Sequence, residues 1–115
     1  MRRLLAYLLL VSTLSVPAFA QKKYTAADAK DHVGETATVC GTVASEHYAA
    51  RSKGQPTFIN LDKPYPDQIF TIVIWGSDRA AFGKLPDKLC VTGKITLYRE
   101  VPEIVAKTPN QIHPE

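Results

Sequence analysis

The sequence predicts an all-β domain: a small five-stranded barrel, with one short helix before the first strand and another between the third and fourth. Three observations carry that prediction. Apolar residues alternate with polar ones through Thr36–Val43 and again through Lys88–Tyr98, the period of a strand with one buried face. Groups of Gly, Pro, Asn and Asp separate five apolar runs at short intervals, as turns do in small β domains. The chain has 115 residues, room for one domain and a modest core. Its 45% hydrophobic and 22% charged residues are ordinary, which excludes disordered, collagen-like and coiled-coil classes.

The first 20 residues read as an address. Arg2 and Arg3 form a positive start, Leu4 to Leu14 is apolar apart from Ser12 and Thr13, Pro17 breaks the run, and Ala18-Phe19-Ala20 offers small residues for cleavage. This is the pattern of a secretory signal peptide cut after Ala20. A membrane anchor and a buried N-terminal helix are the other uses of such a segment, but the apolar run is shorter than the roughly 20 residues that span a bilayer. Cleavage removes two of 14 basic residues and none of 11 acidic ones, so a net charge of +3 becomes +1. The whole-chain charge therefore gives no argument for a polyanionic partner. A periplasmic or secreted bacterial product is expected, with no stable membrane insertion after cleavage.

In such a compartment the chain's two cysteines, Cys40 and Cys90, are expected to pair. Their spacing excludes a CxxC redox motif, and no Cys/His set at zinc spacing surrounds either one.

Taken in order, residues 21–24 are a polar lead-in to a domain spanning 25–108. Thr25 is placed to cap a short helix through about His32, rich in Ala26, Ala27, Ala29 and Lys30 and stopped by Gly34. In the first strand Ala37, Val39, Gly41 and Val43 alternate with Thr36, Thr38, Cys40 and Thr42. His47 to Gln55 is polar and reads as a loop. Thr57 to Leu61 is the second strand. Asp62 to Asp67 contains Pro64 and Pro66 and reads as a turn. Gln68 to Trp75 is the third strand. Ser77 or Asp78 is the expected cap of a helix through Phe82, ended by Gly83. Lys88 to Tyr98 is the fourth strand, and Glu103 to Ala106 a short fifth. Residues 109–115 read as a tail.

This order is the layout of an OB-fold, a partly open Greek-key barrel; an SH3-like barrel is the nearest competitor but normally lacks the helix between strands three and four. In an OB barrel the first and fourth strands pair. Cys40 and Cys90 occupy the polar register of those strands, so a cross-strand disulfide on the outer wall is expected. Gly41 and Gly93 mark sites of a bulge or sharp bend.

Pro56-Thr-Phe-Ile-Asn-Leu-Asp62, Phe70-Thr-Ile-Val-Ile-Trp75 and Cys90-Val-Thr-Gly-Lys-Ile-Thr-Leu-Tyr98 resemble nucleic-acid-binding OB-fold domains of the tRNA-anticodon type. The pattern from His32-Val-Gly-Glu35 to Val101-Pro-Glu-Ile104 is similar to small exported bacterial OB-fold proteins. The resemblance implies that Phe58, on the second strand, stacks on a base. Asn60 stands where those domains usually carry an acid, and Thr71 where they usually carry Gln. Fold alone does not fix function, because the same barrel binds oligosaccharides and proteins.

Two assignments are open for Phe58. As a platform it shares an outer face with Asn60; as a core aromatic it sends Ile59 and Leu61 outward, although those two together suit a core better. Trp75 reads as a packed cap on the barrel. Arg51 and Lys53 in the first long loop, Lys63 in the next and Arg99 in the last turn are candidate phosphate contacts, or simply solvated loop cations. Tyr65 and Tyr98 either extend the stack or pack at strand ends. His32, His47 and His113 show no metal-ligand spacing, and no cofactor is expected. Ser45, Glu46 and His47 are adjacent without forming a relay, and arginine is too scarce for a nuclease, so no catalysis is expected.

The resulting expectation is an exported, disulfide-linked, non-catalytic module binding single-stranded nucleic acid or a nucleotide-like ligand. Phe58, Asn60 and Thr71 form its face, and Arg51, Lys53, Lys63 and Arg99 its phosphate contacts. The alternative is a periplasmic module for an envelope protein or small ligand. A small-molecule or sugar binder would carry a defined pocket near Trp75 and Tyr65.

Overall fold

A computed structural model describes residues 22–115; the expected leader, 1–20, lies outside the described residues. The chain is mainly β, with strands β1 (Lys23–Thr25), β2 (Thr36–Tyr48), β3 (Thr57–Leu61), β4 (Thr71–Ile74), β5 (Lys88–Lys94), β6 (Thr96–Tyr98), β7 (Val101–Val105) and β8 (Ile112–Pro114). Its one α-helix among the described residues, α1 (Gly76–Phe82), lies between β4 and β5. The eight strands form one sheet in the order β6-β7-β4-β3-β2-β5-β8, with β1 added to β2.

The five expected strands are therefore eight. The segment read as a lead-in supplies β1, which pairs with β2 in parallel, Lys23 to Thr25 against Thr38 to Cys40. The segment read as a tail supplies a 3-10 turn, Pro109–Gln111, and then β8, which pairs with β5. The fourth expected strand is broken at Ile95. There the backbone leaves the ladder: the Ile95 N–H donates to the Glu35 carbonyl at 2.9 Å and its carbonyl accepts from Gly34 at 2.7 Å. The Ile95 side chain is fully buried. Because β5 pairs with β2 and β6 with β7, the single run from Lys88 to Tyr98 joins the two sides of the sheet.

The first expected helix is only a 3-10 turn, Ala29–Asp31. The Thr25 hydroxyl does accept the Asp28 N–H, at 3.2 Å, but Gly34 ends the segment before a full α-helix can nucleate. In α1 the N-cap is Trp75, without a side-chain cap, rather than Ser77 or Asp78, and Gly83 ends the helix as expected. The third strand starts at Thr71 instead of Gln68. The first strand runs on to Tyr48, through residues read as loop.

The thirteen residues of β2 serve both halves of the sheet. Thr36 to Thr42 pair with β5, and Val43 to Tyr48 pair with β3, with a register shift between Val43 and Ser45. Gly41 lies where the strand changes partner. A Cβ there would stand 2.8 Å from Asp62 Oδ1 and 3.1 Å from Leu61 Cβ. That close approach lets Asp62 Oδ1 accept the Thr42 N–H at 2.8 Å while the Asp62 N–H donates to the Thr42 carbonyl at 2.8 Å. Gly93 answers a second close approach, with Ile104 Cγ2 at 2.7 Å from where its Cβ would be.

The core is built from Ile59, Leu61, Phe70, Ile72, Ile74, Leu89, Val91, Ile95 and Ile104 with smaller neighbours, and Phe82 and Leu85 pack against it from α1 and the loop after it. Cys40 and Cys90 are direct ladder partners and form the disulfide expected of them. They are buried, not exposed on an open outer wall. The neighbouring ladder pair, Thr38 and Thr92, shares a hydroxyl hydrogen bond at 2.7 Å on the same flank.

A polar clamp fixes β1. Glu35 Oε1 accepts from Lys22 Nζ at 2.9 Å and from the Tyr24 hydroxyl at 3.0 Å, and Glu35 Oε2 meets His32 Nδ1 at 2.5 Å. The Tyr24 and His32 rings stack with centroids 3.6 Å apart. The hydrogen bond from Lys22, then that from His32, holds the Glu35 carboxyl down at about 2. A carboxyl depressed on folding contributes stability that is complete above its ordinary value of 4.5 and is lost as pH falls through about 2. Acidification across that window is therefore expected to loosen β1. Exchange of the Thr38 amide, which donates to the Lys22 carbonyl at 2.8 Å, reports it. In Glu35→Gln that amide should exchange faster already at neutral pH and respond less to acid.

Candidate functional site

On one side of the sheet the alternation that sends Ile59, Ile72 and Ile104 into the core sends Phe58, Asn60, Thr71 and Glu103 the other way. This settles the face of Phe58: it is half-buried outside the core, while Ile59 and Leu61 are fully buried. The ladder registers align Ser45 with Asn60, Asn60 with Thr71, and Thr71 with Glu103. Cross-strand partners share a face, so four polar side chains form a row across β2, β3, β4 and β7. The next row carries His47, Phe58 and Val73.

All of these residues except Val73 line a cleft of about 660 Å³. Tyr65 and Gln68 border it from the connection between β3 and β4, and Tyr98, Arg99 and Val101 from the end of the β6–β7 hairpin. Phe58, Tyr65 and Tyr98 are thus brought around one concavity, and Tyr65 and Tyr98 are largely exposed. The Arg99 guanidinium lies over the Tyr98 ring, 5.4 Å from its centroid, a cation–π contact.

Three members of the polar row, Ser45, Asn60 and Thr71, are bonded to one another. Thr71 Oγ1 donates to Asn60 Oδ1 at 2.7 Å, Asn60 Nδ2 donates to Ser45 Oγ at 3.0 Å, and the Tyr65 N–H donates to Ser45 Oγ at 3.1 Å. Asn60 and Thr71 are buried. Their hydrogen bonds run to each other and to Ser45, so they brace the floor and position Tyr65. Two other groups face the cleft with less support. Gln68 Oε1 is buried with no hydrogen-bond partner among the described residues. Glu103 carries a carboxyl pushed upward by burial. Glu46, on the β2 side, is joined to Arg79 of α1 at 3.4 Å.

Of the residues expected to form the site, Phe58, Asn60, Thr71 and Arg99 come together here, whereas Arg51, Lys53 and Lys63 do not line the cleft. Arg51 instead borders a shallower depression with Tyr48, Ala49 and Ser52. Trp75 lies outside the cleft too. It is 41% exposed and packs over Gly54, whose Cβ would stand 2.9 Å from the Trp75 ring, so it caps that loop instead of framing a ligand pocket. Gln68 and Glu103 are not marked as site residues by any motif in the sequence. Glu103 is signalled only by its ladder position beside Thr71, which becomes visible once β4 and β7 are known to be parallel neighbours. No group of three or more His, Cys, Asp or Glu side chains suited to a metal ion occurs among the described residues, and no described helix is long and apolar enough to cross a membrane.

No protein-family model matches the chain, and no curated protein matches it. Among solved structures it is similar to one assigned as an aspartyl-tRNA synthetase from Leishmania major Friedlin, with a TM-score of 0.54 and 14% sequence identity. The likeness covers 86% of this chain and 21% of that one, so this chain spans about a fifth of the synthetase's length. Identity at that level speaks for the fold alone, and the fold that the sheet order and this likeness support is an OB-like β domain.

Proposed function

We propose that this chain is an exported OB-fold module that binds single-stranded nucleic acid without catalysing a reaction. In this reading the run Lys88–Tyr98 is the fourth strand of a five-stranded barrel, β1 and β8 are additions to it, and the cleft is the ligand face. The observation that carries the reading is Phe58, half-buried on the cleft floor with Tyr65 and Tyr98 exposed around it. Exposed aromatics on an OB face are stacking platforms for unpaired bases. The disulfide suits an oxidising compartment, which agrees with a cleavable leader.

Titration with a labelled single strand at low salt tests the proposal. Phe58→Ala should weaken binding by roughly 5- to 100-fold, the loss of one base-stacking contact. Unchanged affinity would sink the reading. The salt dependence adds a second measurement. With Arg99 as the sole lysine or arginine lining the cleft among the described residues, the slope of log K against log salt should be about −0.7; engagement of Arg51, Lys53 and Lys63 as well would bring it near −3.

A second reading, a module for an envelope protein or small ligand, is favoured by one feature of the cleft. Its charge is not basic: Glu46 and Glu103 stand against Arg99. Capture from an envelope fraction that survives nuclease treatment separates the two readings.

A further inference from the structure

The β6–β7 hairpin turns through just two residues, Arg99 and Glu100, between the ladder partners Tyr98 and Val101. Both adopt left-handed backbone, with φ of 47° and 66°. A turn of this kind selects Asn, Asp and Gly, because a Cβ in that conformation crowds its own backbone. Here the sequence places two long charged side chains instead. Glu100 recovers nothing through a hydrogen bond or ion pair among the described residues, and the contact found for Arg99 is with the Tyr98 ring. The turn needs this backbone but not a long side chain on it, so a strained non-glycine residue here points to a use for the side chain it carries.

We infer that Arg99 is a preformed stacking plate and phosphate contact for the ligand of the cleft. Resting on the stacking reading above, this assigns a specific task at the rim. The guanidinium is a flat cation already held over Tyr98 and beside the cleft. A base stacks on such a plane as it does on an aromatic ring, and the edge N–H groups remain free for a phosphate. Lysine matches the charge but not the plane. The strained turn keeps the plate at the rim, and the fold accepts the associated loss of stability in exchange for binding.

Three variants of the oxidised protein test this, with a fluorescein-labelled 12-nucleotide thymidine strand as probe. Arg99→Asn, the residue the turn prefers, should raise the melting temperature by about 2–5 °C. It should also weaken binding by roughly tenfold and make the salt slope shallower by about 0.7. Arg99→Lys should keep the slope and lose roughly fivefold in affinity. Glu100→Gly should raise the melting temperature and leave affinity unchanged. Stability and affinity moving in opposite directions at position 99 is a result that a merely structural residue does not give. Parent-like binding by either Arg99 variant overturns the proposal, as does a loss in Glu100→Gly equal to that in Arg99→Asn. Absence of binding by the unsubstituted protein sinks the stacking reading itself, whereas binding that responds to Phe58→Ala and not to Arg99 sinks only this inference.

Discussion

Replacing Cys40 and Cys90 together by alanine is expected to remove about 4 kcal/mol of stability. The bond spans a sequence separation of 50 residues, and closing a loop of that length costs the unfolded chain about that much entropy. For a domain of this size the melting temperature should fall by about 15–30 °C. The loss matters more here than in a larger protein, because small domains bury a smaller fraction of their surface. The bond's position adds to this. It ties β2 to β5 within the half of β2 that precedes the change of partner, while the other half of the same strand carries Ser45 and His47 into the cleft. Loosening β2 should therefore cost binding as well as stability. Both sulfur-bearing residues are buried, Cys90 at 2% exposure and Cys40 at 7%. Reductant alone should leave the folded protein without free thiols, and two should appear per chain once denaturant is added. A melting temperature within a few degrees of the parent, or thiols titrating in the native protein, would refute the account.

The disulfide is legible in the amino-acid sequence because two local signals agree on it. Period-two alternation places both cysteines on one register, and their number and spacing leave pairing as the plain use. Gly41 and Gly93 are legible for a similar reason: a glycine inside a strand asks for a close neighbour, and Asp62 and Ile104 are those neighbours. The cleft is only half legible. Alternation along β3 groups Phe58 with Asn60 but does not say which face is the core; that depends on where Ile59 and Leu61 pack against the other strands. Glu103 enters through a parallel pairing between segments about thirty residues apart, and no local pattern encodes a parallel neighbour. The β2 register shifts between Val43 and Ser45, so counting by twos from Thr36 misplaces Ser45. The loop cations fail for a simpler reason: being near the site in sequence does not fix where a loop side chain goes. β1 and β8 are three residues each, too short to show a period, and they form because edges of β2 and β5 are there to receive them.

Cutting the polar row should show that the cleft floor is one cooperative unit. Asn60→Ala removes two hydrogen bonds at once, from Thr71 Oγ1 and to Ser45 Oγ. It leaves the Thr71 hydroxyl in a buried place without its acceptor. A lost hydrogen bond costs about 1 kcal/mol, and a stranded buried polar group costs about 1–3 kcal/mol, so about 2–3 kcal/mol is expected. Thr71→Val strands Asn60 Oδ1 in the same way and should cost about 1–2 kcal/mol. The double variant should cost less than the two together, because each single change already destroys the bond they share; a coupling of about 1 kcal/mol is expected from denaturant unfolding. Strict additivity would mean that the row does not act as a unit. The two variants should also differ in binding. Asn60→Ala releases Ser45, whose hydroxyl oxygen holds the Tyr65 N–H at 3.1 Å, and Tyr65 then loses its fixed place at the rim. Thr71→Val leaves the Asn60–Ser45–Tyr65 chain intact. Affinity should accordingly fall further in Asn60→Ala than in Thr71→Val, by more than their difference in stability explains, because a stacking platform contributes through preorganisation and Ser45 is what preorganises this one.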